Sequence, residues 1–358
     1  MTLPRSHYVK DGEEGIFHCF NRCVRRAFLC GYDHVTGQDF SHRKQWFVNR
    51  LCFLESLFSI EVCGYAVMSN HFHLIVRTRP DKAARWSDRE VAIRWLTLCP
   101  KRRGNNPQGK TSREEDIQAV VNCPSLVAIY RQRLANLSWF MAELDEFISR
   151  AANKEDEVTG RFWESRFKCI KLLDESALCS CMVYVDLNPI RAALAALPED
   201  SDYTSIQERI RAWKEEVLRS FSPQGSTDQS LPRERSSGRG PQAQRRESWL
   251  CPISSDADKR GLLAMTTAEY IDLVDRSGRL VIAGKRGSID ADLAPILQRM
   301  GVNADTWVDT VTRFGSIFHV AAGAAANLRT FADQVGRKWI AGVSAARSAF
   351  ISTPVRAT

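Results

Sequence analysis

The sequence predicts an α+β fold, and three patterns carry that expectation. Residues 60–68 and 71–77 are two apolar runs joined by Ser69-Asn70, the mark of a hairpin-like strand pair. Residues 43–59 and 126–150 repeat large apolar side chains at three- and four-residue steps, the spacing of a single helix face. Residues 222–247 give up almost all large apolar side chains for Ser, Pro, Gly, Gln and Arg, which divides the chain in two.

The elements follow in order. Residues 13–24 read as a first strand that begins beside Gly15 and runs into the basic Arg22, Arg25 and Arg26. Trp46, Phe47, Leu51, Leu54 and Phe58 predict a helix over 43–59, followed by the two hairpin strands, with His71 and His73 at the entry of the second. A short helix is expected over 89–98, then a loop over the basic, Gly/Asn/Pro-rich residues 101–110. Leu126, Ile129, Leu134, Leu137, Phe140, Leu144 and Ile148 predict one amphipathic helix across 126–150. Residues 159–171 read as a loop leading into a strand. Asp174 suits the N-cap of a helix from Glu175 to about Asn188, where Pro189 must end or kink it. A further helix is expected over 204–219. The expected organisation is a unit over 1–220, a flexible basic linker over 221–248 and a mostly helical accessory unit over 249–358.

A length of 358 residues suits two such units, and a 44% hydrophobic content is enough for a core. The net charge of +8 favours an anionic partner, of which nucleic acid is the commonest. The 11 cysteines are scattered, and no apolar leader or membrane-length run is visible, so buried thiols in a reducing cytoplasm and no membrane partner are expected. Cys19 and Cys23 are not followed by a second pair at zinc-finger spacing.

The chemistry concentrates in two short segments. In His71-Phe72-His73 the imidazoles are two apart on a strand and share a face, so they can pair as ligands for a divalent ion or form a polar strand face satisfied by neighbours. Tyr184 and Asn188 are four apart on a helix and share a face there. A tyrosine can attack phosphorus and form a covalent intermediate, but its phenol ionises near 10 and needs help at neutral pH, which a bound metal supplies. Asn188 offers a neutral oxygen to the same ion, or serves as the N-cap of a helix starting at Pro189. Arg161, Arg166 and Lys168 interleave with Phe162, Trp163 and Phe167, a mixture that suits single-stranded DNA or a core with a charged rim. Arg22, Arg25 and Arg26 are candidate phosphate contacts. Arg191 is a candidate for DNA contact or an ion pair, and His18 is a structural strand histidine or a neighbour of the metal.

Gly64-Tyr-Ala-Val-Met-Ser-Asn-His-Phe-His-Leu-Ile-Val76 resembles the HUH segment of the single-tyrosine transposases, in which two histidines flank a hydrophobic residue. Tyr184-Val-Asp-Leu-Asn-Pro-Ile-Arg-Ala192 resembles their tyrosine helix, and Gly160-Arg-Phe-Trp-Glu-Ser-Arg-Phe-Lys168 the segment before it. The Asn-Pro-Ile-Arg form looks most like the REP-associated tyrosine transposases. The resemblance covers roughly residues 5–200. It implies a ferredoxin-like α+β domain whose antiparallel sheet carries the histidines, with packed helices. It implies His71 and His73 as the metal pair, Tyr184 as nucleophile, Asn188 as a third ligand and Mg²⁺ or Mn²⁺ as cofactor. The implied activity is cleavage and transfer of single-stranded DNA near REP-like hairpin repeats through a 5′-phosphotyrosine, often by a homodimer. Two departures stand out: the long stretch 77–183 between the motifs, and residues 249–350, which match no part of the minimal catalytic domain. The rival expectations are a hairpin-binding regulator without catalysis and a metal-dependent nuclease that uses water.

Overall fold

The computed structural model describes residues 3–24, 30–32, 37–100, 114–221, 249–255, 260–282 and 294–351. Arg25, Arg26, the 101–110 loop and the linker residues 222–247 therefore lie outside the described residues.

A central sheet runs in the order β2-β3-β1-β4-β5. Its strands are β1 (Gly15–Arg22), β2 (Ile60–Val67), β3 (His71–Thr78), β4 (Lys168–Leu172) and β5 (Ala321–Ala322). The first four pair antiparallel, while β5 runs parallel to β4. The sheet is thus mixed rather than wholly antiparallel, because its fifth strand arrives from the far end of the chain. The β2–β3 hairpin forms where the sequence predicts it, closed by the Met68 N–H donating to the His71 carbonyl at 2.9 Å.

The helices before the linker are α1 (Arg43–Leu57), α2 (Pro80–Arg85), α3 (Asp88–Leu98), α4 (Glu114–Val121), α5 (Pro124–Leu134), α6 (Leu137–Glu155), α7 (Glu175–Asp186), α8 (Asn188–Arg191) and α9 (Ser205–Phe221). After it come α10 (Thr267–Ile282), α11 (Ala294–Arg299), α12 (Trp307–Ile317), α13 (Ala325–Gln334) and α14 (Val343–Ala349). The single helix expected over 126–150 is two, α5 and α6. Asn136 leaves helical geometry (φ −96°, ψ 123°), and its side-chain oxygen accepts the Trp139 N–H at 3.0 Å. That N-cap restarts the helix while the apolar spacing runs on unbroken, so periodicity alone hides the break.

Strand alternation splits the sheet into two faces. On one, Phe72 packs against Phe47 of α1 with ring centroids 4.7 Å apart, and Phe58 meets Phe140 of α6 edge to face at 5.3 Å. On the other lies α7. Both sheet edges are covered by residues from beyond the linker. Leu250 bridges Val62 in parallel at the β2 edge, with the Cys251 N–H donating to the Val62 carbonyl at 2.8 Å, and β5 covers β4. Covered edges remove the unpaired strand groups that invite association. Trp307, Phe314 and Phe318 join the same buried cluster as Leu51 and Phe72. Among the described residues, no helix is long and apolar enough to cross a membrane.

Candidate active site

The register of β1 against β3 gathers three imidazoles on one face. Phe20 pairs with His73 and Arg22 with His71, so His18, Phe20 and Arg22 of β1 face the same way as the two β3 histidines. Helix α7 lies over this face. Its first turn is fixed by Asp174, whose Oδ1 accepts the Ala177 N–H at 2.9 Å, the cap the sequence predicts. Near its other end, Tyr184 sets its ring edge-on to His73, at 5.4 Å between centroids and 78°, and to His18 at 5.9 Å.

The hydrogen bonds constrain where the imidazole protons sit. His71 is half-buried, and its Nδ1 lies 2.7 Å from Asn70 Oδ1. A carbonyl oxygen only accepts, so the ring proton is at Nδ1 and the Nε2 lone pair has no hydrogen-bond partner among the described residues. His73 is 5% exposed, and its Nδ1 lies 2.9 Å from Nε2 of the fully buried His18. When His73 Nδ1 donates to His18, His73 Nε2 also presents a lone pair. His18 Nδ1 then carries a proton in a buried position that has no hydrogen-bond partner among the described residues. Burial pushes His18 down to about 3, and burial with the Arg22 guanidinium pushes His71 down to about 4. His73 is lowered well below the usual histidine range by burial and then by His18 and His71. All three rings are therefore neutral at pH 7, the form that binds metal.

Two neutral imidazoles with free Nε2 positions fit a divalent ion that keeps open coordination sites. Among the described residues, no group of three or more His, Cys, Asp or Glu is arranged to hold one. Asn188 is 9% exposed, and its Nδ2 donates to the Tyr184 carbonyl at 2.9 Å. It is the first residue of α8 rather than its N-cap, and its amide satisfies a carbonyl that the end of α7 leaves open.

Tyr184 is partly buried. Burial raises its phenol above the usual tyrosine value, while the Arg191 guanidinium, 5.4 Å from the ring centroid, pulls the other way. Phe314 of α12 lies 5.8 Å from the same ring at 31°. A Cβ placed on Gly315 would come 2.9 Å from Tyr184 Oη.

Of the other sequence-derived candidates, Arg22, Arg161, Arg166, Lys168 and Arg191 are exposed. Phe162 and Trp163 are 5% and 8% exposed, which corrects the expectation that they offer faces to DNA bases. The Trp163 Nε1–H donates to the Asp145 carbonyl at 2.9 Å, and its ring meets Phe72 edge to face at 5.6 Å, so both rings belong to the packed interior. His18, which the sequence offered as a structural strand histidine or a neighbour of the metal, is the hydrogen-bond partner of His73. Two residues of this site carried no motif. Phe20 is the half-buried ring on the histidine face, with Lys168 Nζ 6.0 Å from its centroid. Gly315 gave no sequence signal beyond being a glycine inside a helix.

The fold and site define an α+β protein in which a tyrosine-bearing helix lies over a sheet face of paired imidazoles. A solved structure described as the REP-associated tyrosine transposase bound to a REP hairpin aligns with 65% of this chain and 96% of that one, at 12% identity and a TM-score of 0.34. That likeness is distant. No protein-family model and no curated protein matches the chain.

Proposed function

We propose that this chain cuts and rejoins single-stranded, hairpin-forming DNA of the REP-like kind, with Tyr184 as the nucleophile. The observation that carries the reading is the Tyr184 ring standing edge-on to His73, 5.4 Å away, on the face where the His71 Nε2 lone pair has no hydrogen-bond partner among the described residues. His71 and His73 would hold Mg²⁺ or Mn²⁺, with Asn188 as the candidate third donor. The ion, when bound, supplies Lewis-acid polarisation of the scissile phosphate.

The rest falls to the chain's own residues. Tyr184 Oη forms a bond to phosphorus as the bond from phosphorus to the 3′ oxygen breaks. The phenol proton is released, and the departing oxygen takes one up as a 3′-OH. A 3′-OH can later attack the 5′-phosphotyrosine, re-form the phosphodiester and return the proton to Tyr184. Arg191 lies against the phenol ring and favours its ionised form. Asn70 holds the His71 proton at Nδ1. Arg22, Arg161, Arg166 and Lys168 are exposed cations suited to backbone phosphates.

The test is a labelled single-stranded hairpin oligonucleotide from the gene's flanking repeats, incubated with the protein and Mn²⁺ and run on a denaturing gel. A slow covalent band that disappears in Tyr184→Phe and His71→Ala supports the reading; cleavage that survives Tyr184→Phe overturns it. One observation favours a second reading, a hairpin-binding regulator without catalysis: burial raises the Tyr184 phenol further above neutral pH, away from the ionised form that attacks phosphorus. That reading gives a shifted native complex and no covalent band.

A further inference from the structure

We propose that Gly315 is a positioning residue for Tyr184, and that α12 belongs to the active site rather than to an accessory unit. This rests on the reading of Tyr184 as the nucleophile. Glycine is a poorer helix former than alanine, so its presence in the last turn of Trp307–Ile317 is consistent with a packing reason. The reason is the Tyr184 hydroxyl. A Cβ on Gly315 would lie 2.9 Å from Oη and 3.4 Å from Cζ, and Cζ is a ring atom with no freedom to yield separately. The bare Cα therefore sets how far the phenol reaches toward α12, and with it the distance left on the imidazole side.

The helix that carries Tyr184 is held in place by the same part of the chain. Asp174, at its start, accepts from the Ala324 N–H at 2.7 Å and from Asn327 Nδ2 at 2.8 Å. Ser176 Oγ donates to the Met300 carbonyl at 2.7 Å. Asp186, at its end, accepts from the Tyr270 hydroxyl. The Tyr184 ring continues into a run of aromatic rings, Phe314 at 5.8 Å, Phe318 5.0 Å beyond it and Phe350 another 5.9 Å on. The phenol is thus set between the imidazole edges on one side and a wall built from residues past 300 on the other. A change at Gly315 moves the hydroxyl without touching DNA.

The experiment is a double-mutant cycle in the full chain with two readouts. For stability, Gly315→Ala is expected to lower the melting temperature by roughly 3–6 °C in the Tyr184 background. Most of that loss is expected to return in Tyr184→Phe/Gly315→Ala, which removes Oη and leaves only an ordinary carbon contact. For chemistry, Gly315→Ala is expected to slow covalent adduct formation at saturating hairpin DNA by about tenfold while the half-saturating DNA concentration stays within twofold. Additive stability losses in the cycle overturn the proposal, since they mean the alanine does not meet the hydroxyl. Coupling with an unchanged adduct rate overturns it as well, since the contact then positions nothing. If the wild-type chain forms no adduct, the nucleophile reading fails on its own, and the stability cycle still decides whether Gly315 sets the phenol.

Discussion

Phe72 and the histidines on either side of it are neighbours in sequence and belong to different worlds. Phe72 is fully buried between Phe47 and Trp163, in the layer that joins the sheet to α1 and α6. His71 and His73 face α7, where polar rings are kept neutral and the buried His18 Nδ1 has no partner among the described residues. An unsatisfied buried polar atom costs about 1–3 kcal/mol, so the histidine face is built at the expense of stability and the phenylalanine face supplies it. One eight-residue strand carries both, because alternation keeps its two faces apart.

The largest expected effect breaks the strong side of this comparison. Phe72→Ala removes a fully buried ring and is expected to cost about 3–5 kcal/mol, measured by urea denaturation. His71→Ala, on a half-buried residue of the same strand, is expected to cost less than about 1 kcal/mol while abolishing the covalent adduct. Equal losses would mean that the histidine face also holds the sheet together.

The packed face also holds a costly group. Asp145 of α6 accepts from Asn21 Nδ2 at 2.9 Å through Oδ2, while its buried Oδ1 has no partner among the described residues. Burial raises this carboxyl from 3.8 to about 7, against the pull of Asn21 and Arg5. A raised carboxyl binds its proton more tightly in the folded chain than in the unfolded one. Stability from this group is therefore greatest below about pH 4, falls as pH rises through the window up to about 7, and is lowest above it. A shift of about three units corresponds to something on the order of 4 kcal/mol across that window. Asp145→Asn is expected to flatten the pH dependence, so that the variant is the more stable of the two at pH 8 and gains little at pH 4. Urea denaturation of both proteins at the two pH values reads this directly, and parallel slopes would remove Asp145 from the account.

Local patterns were legible in the sequence because local forces set them. The 71–77 strand shows its period, Asp174 shows its capping chemistry, and Tyr184 falls on a helix whose span the sequence places to within two residues. What stayed hidden depends on partners distant in the chain. The choice between the two readings of His18 is made only when β1 pairs with β3, and Gly315 acquires meaning only when α12 packs on α7. Residues past the linker read as a separate mostly helical unit because their own spacing says nothing of the sheet edges they cover at Val62 and Leu172. Phe162 and Trp163 were ambiguous in principle, since an aromatic between cations has the same sequence signature whether its face is covered or open.

The next effect sharpens the histidine side. Among the described residues, Asn70 Oδ1 is the hydrogen-bond partner of His71 Nδ1, at 2.7 Å, and it fixes which nitrogen keeps a lone pair. Removing such an outer partner typically lowers metal affinity about 10–100-fold. Asn70→Ala is expected to weaken Mn²⁺ binding by about that factor in calorimetry, with stability within about 0.5 kcal/mol of wild type. Unchanged Mn²⁺ affinity would mean that His71 does not ligate through Nε2.

The smallest effect concerns residues 161–168, where the same division into inner and outer side chains recurs in the segment that leads into β4. Phe162, Trp163 and Phe167 turn inward, while Arg161, Arg166 and Lys168 remain exposed. If the outer set meets phosphates, each contact releases counterions, and each lost contact reduces the slope of log affinity against log salt by about 0.7 on a single strand. Arg166→Ala is expected to lower that slope by about this amount, to weaken hairpin binding by a few-fold at moderate salt and to leave the melting temperature unchanged. Trp163→Ala should do the reverse, since its ring fills the interior against Phe72 and its loss leaves a cavity. A salt titration of both variants separates the two sets. An Arg166→Ala protein that melts earlier but keeps the full salt slope would place that cation with the structural residues, and the outward half of the segment would then have no claim on DNA.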